Sequence, residues 1–169
     1  MNGQALKRKI FDRNAKYGWI ESAEGLQKAA EILKAARQPN QLYANTLWPE
    51  LMLWGFCLEN LFKGLYAKKQ VAGKLKDKQA KPLDENGKLN VGKKPHDLEK
   101  WCQRAEVSAF ASLAQQMILR NLTEIMIYHG RYPVSTEWDK SQPVYWSDEE
   151  HDPVLLDMID FLKQEIEIL

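Results

Sequence analysis

Cysteine is nearly absent from this chain of 169 residues; Cys57 and Cys102 are the only two. They form no CxxC pair, and no histidine stands at metal-ligand spacing from them. Neither a disulfide framework nor a zinc site is therefore expected, and both are read as buried, reduced thiols of a cytoplasmic protein. No apolar run approaches the ~18 residues of a membrane span, so no membrane partner is expected. The stretch Met1–Arg13 is polar and basic and lacks the apolar core of a secretory signal. A Gly-rich phosphate loop, a Walker-type Lys-Ser/Thr and a Ser-His-Asp spacing are all missing, and nothing calls for a metal or cofactor. Strand-like alternation and internal repeats are missing too. An excess of one charge is also lacking: the formal net charge is +1. No overall field draws the chain to nucleic acid or membrane. The balance hides an asymmetry, since residues 63–100 hold 11 Lys against 5 Asp or Glu, whereas residues 134–169 hold 10 Asp or Glu against 2 Lys. Opposite poles of this kind suit either a basic binding face or merely solvated loops and helix faces.

What the chain has is helical periodicity, nearly throughout. At 100° per residue Trp19, Ala23, Leu26, Ala30 and Leu33 fall within about 80° of one another. This predicts a helix over most of 14–37, stopped by Pro39. Leu47, Leu51, Trp54, Leu58, Leu61 and Leu65 make an equally narrow stripe. They predict a second helix over 46–70, capped by Asn45 or Thr46, with Pro49 in its first turn. Residues 71–94, rich in Lys, Gly and Pro, read as a mobile basic loop. A short helix follows, with Asp97 as N-cap and Leu98, Trp101 and Cys102 facing inward. Ser108 opens a fourth helix reaching His129. Its Phe110, Leu113, Ala114, Met117, Ile118, Leu122, Ile125 and Met126 cover so much of its circumference that it should be the most buried element. Asp152-Pro153 reads as N-cap and first residue of a last helix over 153–167, within an acidic segment 134–169. The fold class expected is all-α, a single domain over 1–169. It would be an antiparallel up-and-down bundle of four long helices plus a short one, with its core in 14–133.

Polar residues on these helices are the candidates for chemistry. Glu59 and Lys63 stand at i and i+4, about 100° or more from the leucine stripe, and read either as a surface ion pair or as a functional pair. Arg120, Asn121 and Glu124 interrupt the most apolar helix, and Arg120 and Glu124, 40° apart, can pair. A buried Arg needs a carboxylate, here Glu124 or Glu59. The set is either a structural seam or an anion cleft, with Arg131 extending its face. His151 reads as solvated.

Three segments, in order, carry a resemblance: Leu58–Leu65 with Glu59 and Lys63, Pro95–Trp101 with His96-Asp97-Leu98, and the run Ile125–His129 closed by Gly130-Arg131-Tyr132-Pro133. Together they resemble a HEPN domain, a helical bundle common in prokaryotic defence and toxin–antitoxin proteins, over about Tyr17–Pro133. The resemblance implies that Glu59 and Lys63 line a polar cleft, that His96 and Asp97 are packing and capping elements, and that Tyr132 and Pro133 are structural. It implies a homodimer, a nucleotide or RNA ligand held by Glu59, Lys63, Arg120, Asn121, Glu124 and Arg131, and an antitoxin-type protein partner. HEPN ribonucleases carry an arginine followed, after four to six residues, by a histidine, in a site formed between two subunits. Arg120 begins that pattern, but Ile125, Met126 and Ile127 occupy the histidine positions. The nearest histidine is His129, ~13 Å along a continuous α-helix and on its opposite face. Three readings stay open: a non-catalytic nucleotide or RNA binder, an RNA endonuclease using Arg120 and His129, and an interaction module with Trp138, Tyr145 and Trp146 on a dimer surface.

Overall fold

The computed structural model describes residues 18–37, 44–76, 89–90, 95–107, 109–110, 112–129 and 144–169. The fold is all-α: α1 Ile20–Ala36, α2 Ala44–Val71, α3 Leu98–Arg104, α4 Leu113–Glu124 and α5 Asp148–Ile168, with a π-helical turn Ile125–His129 prolonging α4. Among the described residues no strand forms.

The two leucine-rich stripes sit where the periodicity puts them. Ala23 and Ala30 of α1 and Leu51, Trp54, Leu58, Leu61 and Leu65 of α2 are buried in one apolar core. The most buried element, however, is α2 and not the fourth helix. Besides its stripe, α2 buries Cys57, Glu59, Phe62, Tyr66, Ala67 and Lys68. It is buried nearly all round because every other helix packs on it. The first half of α4 is exposed instead, with Leu113 75% and Met117 38% accessible. Its apolar circumference exceeds the surface that its neighbours can cover.

Three helix starts differ from the sequence expectation, each for a local reason. Ser112, not Ser108, begins α4: its hydroxyl accepts from Gln115 N at 3.2 Å, and the Gln115 amide oxygen accepts from Ser112 N at 3.2 Å. This reciprocal box satisfies two donors that Ser108 would leave open. Phe110 therefore precedes the helix, yet is buried against Phe62 and Phe161. Helix α5 starts five residues before Pro153, at Asp148, with Ser147 as N-cap. Asp148, Glu149 and Glu150 place negative charge on the positive end of the helix dipole. Asp152 is thus an interior residue rather than a cap. Helix α2 begins at Ala44, so Pro49 lies inside it beyond the first turn.

The C-termini follow expectation more closely. Gly73, at φ +67°, ends α2: its N–H donates to Gln70 O, and Lys74 N donates to Lys69 O. Leu75 and Leu89, at the ends of the expected loop, pack on the core; the rest of that loop lies outside the described residues. Side-chain ties set helix direction. Lys68 near the end of α2 donates to Ile166 O near the end of α5 at 2.7 Å. Arg37, following α1, reaches Glu50 near the start of α2 and Asp148 at the start of α5. Hence α1 runs antiparallel to both, and α2 runs parallel to α5.

Candidate functional site

Helix α3 is what brings the candidate polar residues together. Asp97 caps it, its carboxylate accepting from Lys100 N at 3.0 Å. Leu98 N donates to Thr123 Oγ1 of α4 at 3.0 Å, and Thr123 in turn donates to Leu119 O at 2.7 Å. Trp101 is buried, and its indole N–H donates to Pro95 O at 2.6 Å. These bonds shape the Pro95-His96-Asp97 turn and fix it against α4.

On the α2 side the turn meets Glu59. His96 Nδ1 lies 2.9 Å from Glu59 Oε2, and Lys63 pairs with Oε1 of the same carboxylate. A carboxylate only accepts, so Nδ1 carries the hydrogen. The Glu59 side chain is 5% exposed, Lys63 13% and His96 25%. Of the two readings left open for this i,i+4 pair, a surface ion pair does not hold: the pair is an interior one, closed by a histidine 37 residues away. Lys63 also lies 5.3 Å from the centroid of Trp101, and Arg104 lies 4.9 Å from the same ring. The ring of His96 packs edge-on against Phe56.

On the α4 side the turn forms one wall of an open groove of about 400 Å³. It is lined by Pro95, His96, Asp97, Glu99, Arg120, Thr123, Glu124, Ile127 and Tyr128. Arg120 stands at its rim with a 65% exposed side chain, 3.9 Å from Glu99. The expectation of a buried Arg120 paired with Glu124 or Glu59 is corrected. Its α4 position faces solvent, and the acid it approaches, Glu99, comes from α3. Asn121 does not join the groove; its amide donates to Tyr145 O at 2.8 Å, tying α4 to the segment before α5. Lys63 lies behind His96 and does not line the groove. Arg131, Tyr132 and Pro133, the side chain of His129, and Trp138 lie outside the described residues. The turn Ile125–His129 is π-helical, so the continuous α-helical spacing assumed for Arg120 and His129 does not hold to its end. Such turns recur at functional sites.

One further expectation is corrected. His151 is buried, stacked on Trp146 with ring centroids 4.9 Å apart, because the early start of α5 turns it inward. Trp146 is engaged within the chain, donating to Asp152 Oδ1 at 3.1 Å; Tyr145 remains 62% exposed. Sequence reasoning missed Glu99, Thr123 and Tyr128. Only the short spacing from Asp97 to Glu99 and from Arg120 to Glu124 hinted at facing helix ends.

The groove is chemically mixed. Arg120 offers a planar set of donors suited to an oxyanion. Asp97, Glu99 and Glu124 offer acceptors, and Tyr128 offers an aromatic surface. Cys57 and Cys102 take no part: both are buried, and burial pushes their thiols up to about 12 and about 11. Among the described residues no group of His, Cys, Asp and Glu is disposed to hold a metal ion, and no helix is long and apolar enough to cross a membrane. Compared with family models, curated proteins and solved structures, the chain has no match in any of the three.

Proposed function

We propose that this is a HEPN-like protein that binds a nucleotide in the groove between the His96 turn and α4, as part of a prokaryotic defence or toxin–antitoxin system. The observation that carries the ligand class is Arg120 at the rim of a groove that is otherwise rich in acceptors. A phosphate takes charge-assisted bonds from the guanidinium. Ribose hydroxyls and base amino groups are donors, and the carboxylates of Glu99 and Glu124 accept from them. The charge balance favours a small ligand: three lining carboxylates face Arg120 and His96, an arrangement that repels a long polyanion more than a mononucleotide. The family resemblance supplies the biological setting, a homodimeric state and an antitoxin-type partner.

The test is a thermal-shift and calorimetric comparison of mononucleotides with short RNA. A ligand that binds only the folded state raises Tm with its concentration. Mononucleotides should do so in the wild type and lose the effect in Arg120→Ala. No shift with any nucleotide or RNA would sink the reading.

A second reading, RNA endonuclease, is favoured by one observation: the His96–Glu59 bond. An imidazole oriented by a carboxylate is the arrangement of a general acid–base catalyst. In that reading His96, rather than His129, moves the proton, and Arg120 stabilises the anionic transition state. Incubating the protein with short RNA separates the two readings, since only the second expects cleavage that His96→Gln removes.

A further inference from the structure

Away from the groove, charged side chains of three helices converge where α1 ends and α2 and α5 begin. Glu50 of α2 is wholly buried. Arg37 approaches it with Nε 2.9 Å from Oε2 and Nη2 3.2 Å from Oε1. Nη2 also lies 2.6 Å from Asp148 Oδ2 of α5. Lys34, one turn earlier in α1, pairs with Asp152 and lies 3.8 Å from Asp148. Trp146 holds the other oxygen of Asp152. His151 lies between, stacked on Trp146, its Nδ1 3.0 Å from Ser147 N. One turn along α2, Trp54 is also buried, and its indole N–H has no hydrogen-bond partner among the described residues.

The count of charges is uneven. Among the described residues three carboxylates, Glu50, Asp148 and Asp152, face two cations, Lys34 and Arg37. With Glu50 ionised, the cluster carries one negative charge in excess, the Glu50 carboxylate itself is held out of water, and Arg37 is divided between two acids. The Nε–Oε2 contact is close but poorly aligned, leaving both atoms without a well-directed hydrogen bond. With Glu50 protonated, two acids face two cations, and Arg37 serves Asp148 alone. We propose that this cluster is a proton-operated clasp on the first turns of α5, which tightens when Glu50 takes up a proton and loosens when Glu50 releases it.

The electrostatics point the same way. Burial pushes the Glu50 carboxyl up from 4.5 to about 7; Arg37 opposes the push, while Asp148 and Asp152 add to it. The folded-state value is raised, so between about pH 4.5 and about pH 7 the docked state binds a proton that the opened state does not. Docking is therefore strongest at the acid end of that window and weakens as pH rises through 7. His151 sits at the same cluster, so the histidine needs its own control.

The test is amide hydrogen exchange over 148–155, corrected for the intrinsic pH dependence of exchange, at about pH 5.5 and about pH 8.5. In the wild type these amides should open more readily at the higher pH, by up to about tenfold for each pKa unit released on opening. In Glu50→Gln, which fixes a neutral side chain, protection should be the same at both. In His151→Gln most of the dependence should persist. Wild-type protection that does not change with pH overturns the clasp, as does a dependence that survives Glu50→Gln and vanishes in His151→Gln. Should Glu50→Gln fail to fold, the side-chain carboxyl of Glu50 can be titrated by NMR in the wild-type protein. A midpoint near 7 supports the clasp, and one near the ordinary 4.5 overturns it.

Discussion

Arg120 and Glu59 show how differently two charged residues in apolar helices can be placed. Arg120 sits in α4 with its side chain 65% exposed, and the Glu99 carboxylate lies 3.9 Å away. Arg120→Ala should change unfolding free energy by no more than about 0.5 kcal/mol, the range of ordinary surface substitutions. Glu59 is buried and bonded to both Lys63 and His96. Glu59→Ala leaves the Lys63 ammonium inside the protein without its acid and should cost about 3 kcal/mol. Denaturant titration of the two variants checks both numbers; a large loss for Arg120→Ala would return that residue to a structural seam. The sequence shows the Glu59–Lys63 spacing because it is local. It cannot show His96 closing on Glu59, because that contact depends on how the α3 turn docks. Nor does it distinguish Arg120 as exposed, since an apolar count around a helix does not say which arc finds a neighbour.

At the scale of elements, the helices were legible and their first turns were not. Periodicity located α1, α2, α4 and α5, since each apolar stripe must be buried somewhere. Starts depend on local detail: Ser112 closes a capping box four residues after Ser108, and α5 begins after Ser147, five residues before Pro153, with no side-chain cap bond from Ser147. Ser112→Ala should cost about 1 kcal/mol by removing the capping box of α4. The clearest demand on an element is in α2. A Cβ at Gly64 would lie 2.9 Å from Trp19 Cβ, and one at Gly55 2.7 Å from Met126 Sδ. Glycine there lets neighbouring side chains lie directly on the helix backbone. Ala is the better helix former by about 1 kcal/mol, yet Gly64→Ala should be net destabilising. A Cβ atom, unlike the flexible tip of Met126, cannot swing aside, and overpacking costs about 1–3 kcal/mol. A gain in thermal stability for Gly64→Ala would show that α1 shifts easily against α2. Gly55→Ala should be tolerated better for the same reason.

For the whole molecule, the unanswered surface is the outer side of α4. Leu113, Met117 and Arg120 fall within about 60° of one another on the helix, and all three are exposed. Single exposed apolar residues are ordinary. A leucine 75% accessible, one turn from a methionine and in line with the cation of the groove, is a stronger pointer, because burying it would carry the groove rim into an interface. If the chain pairs through this face about a twofold axis, the same residues of both copies meet. Each groove is then walled by the other copy, which would screen its excess of carboxylates from water and lengthen the surface open to a ligand. Light scattering of the wild type should give twice the chain mass of 19.6 kDa. Leu113→Glu puts like charges face to face across such an axis and should return the mass to that of one chain, with helical circular dichroism unchanged, because the side chain adds nothing to the core. A wild type that stays at 19.6 kDa at high concentration, or a Leu113→Glu variant that still pairs, would remove α4 from the interface. In either of those cases nucleotide binding should be the same in the wild type and in Leu113→Glu, since Arg120, Glu99 and His96 then form the groove within one copy.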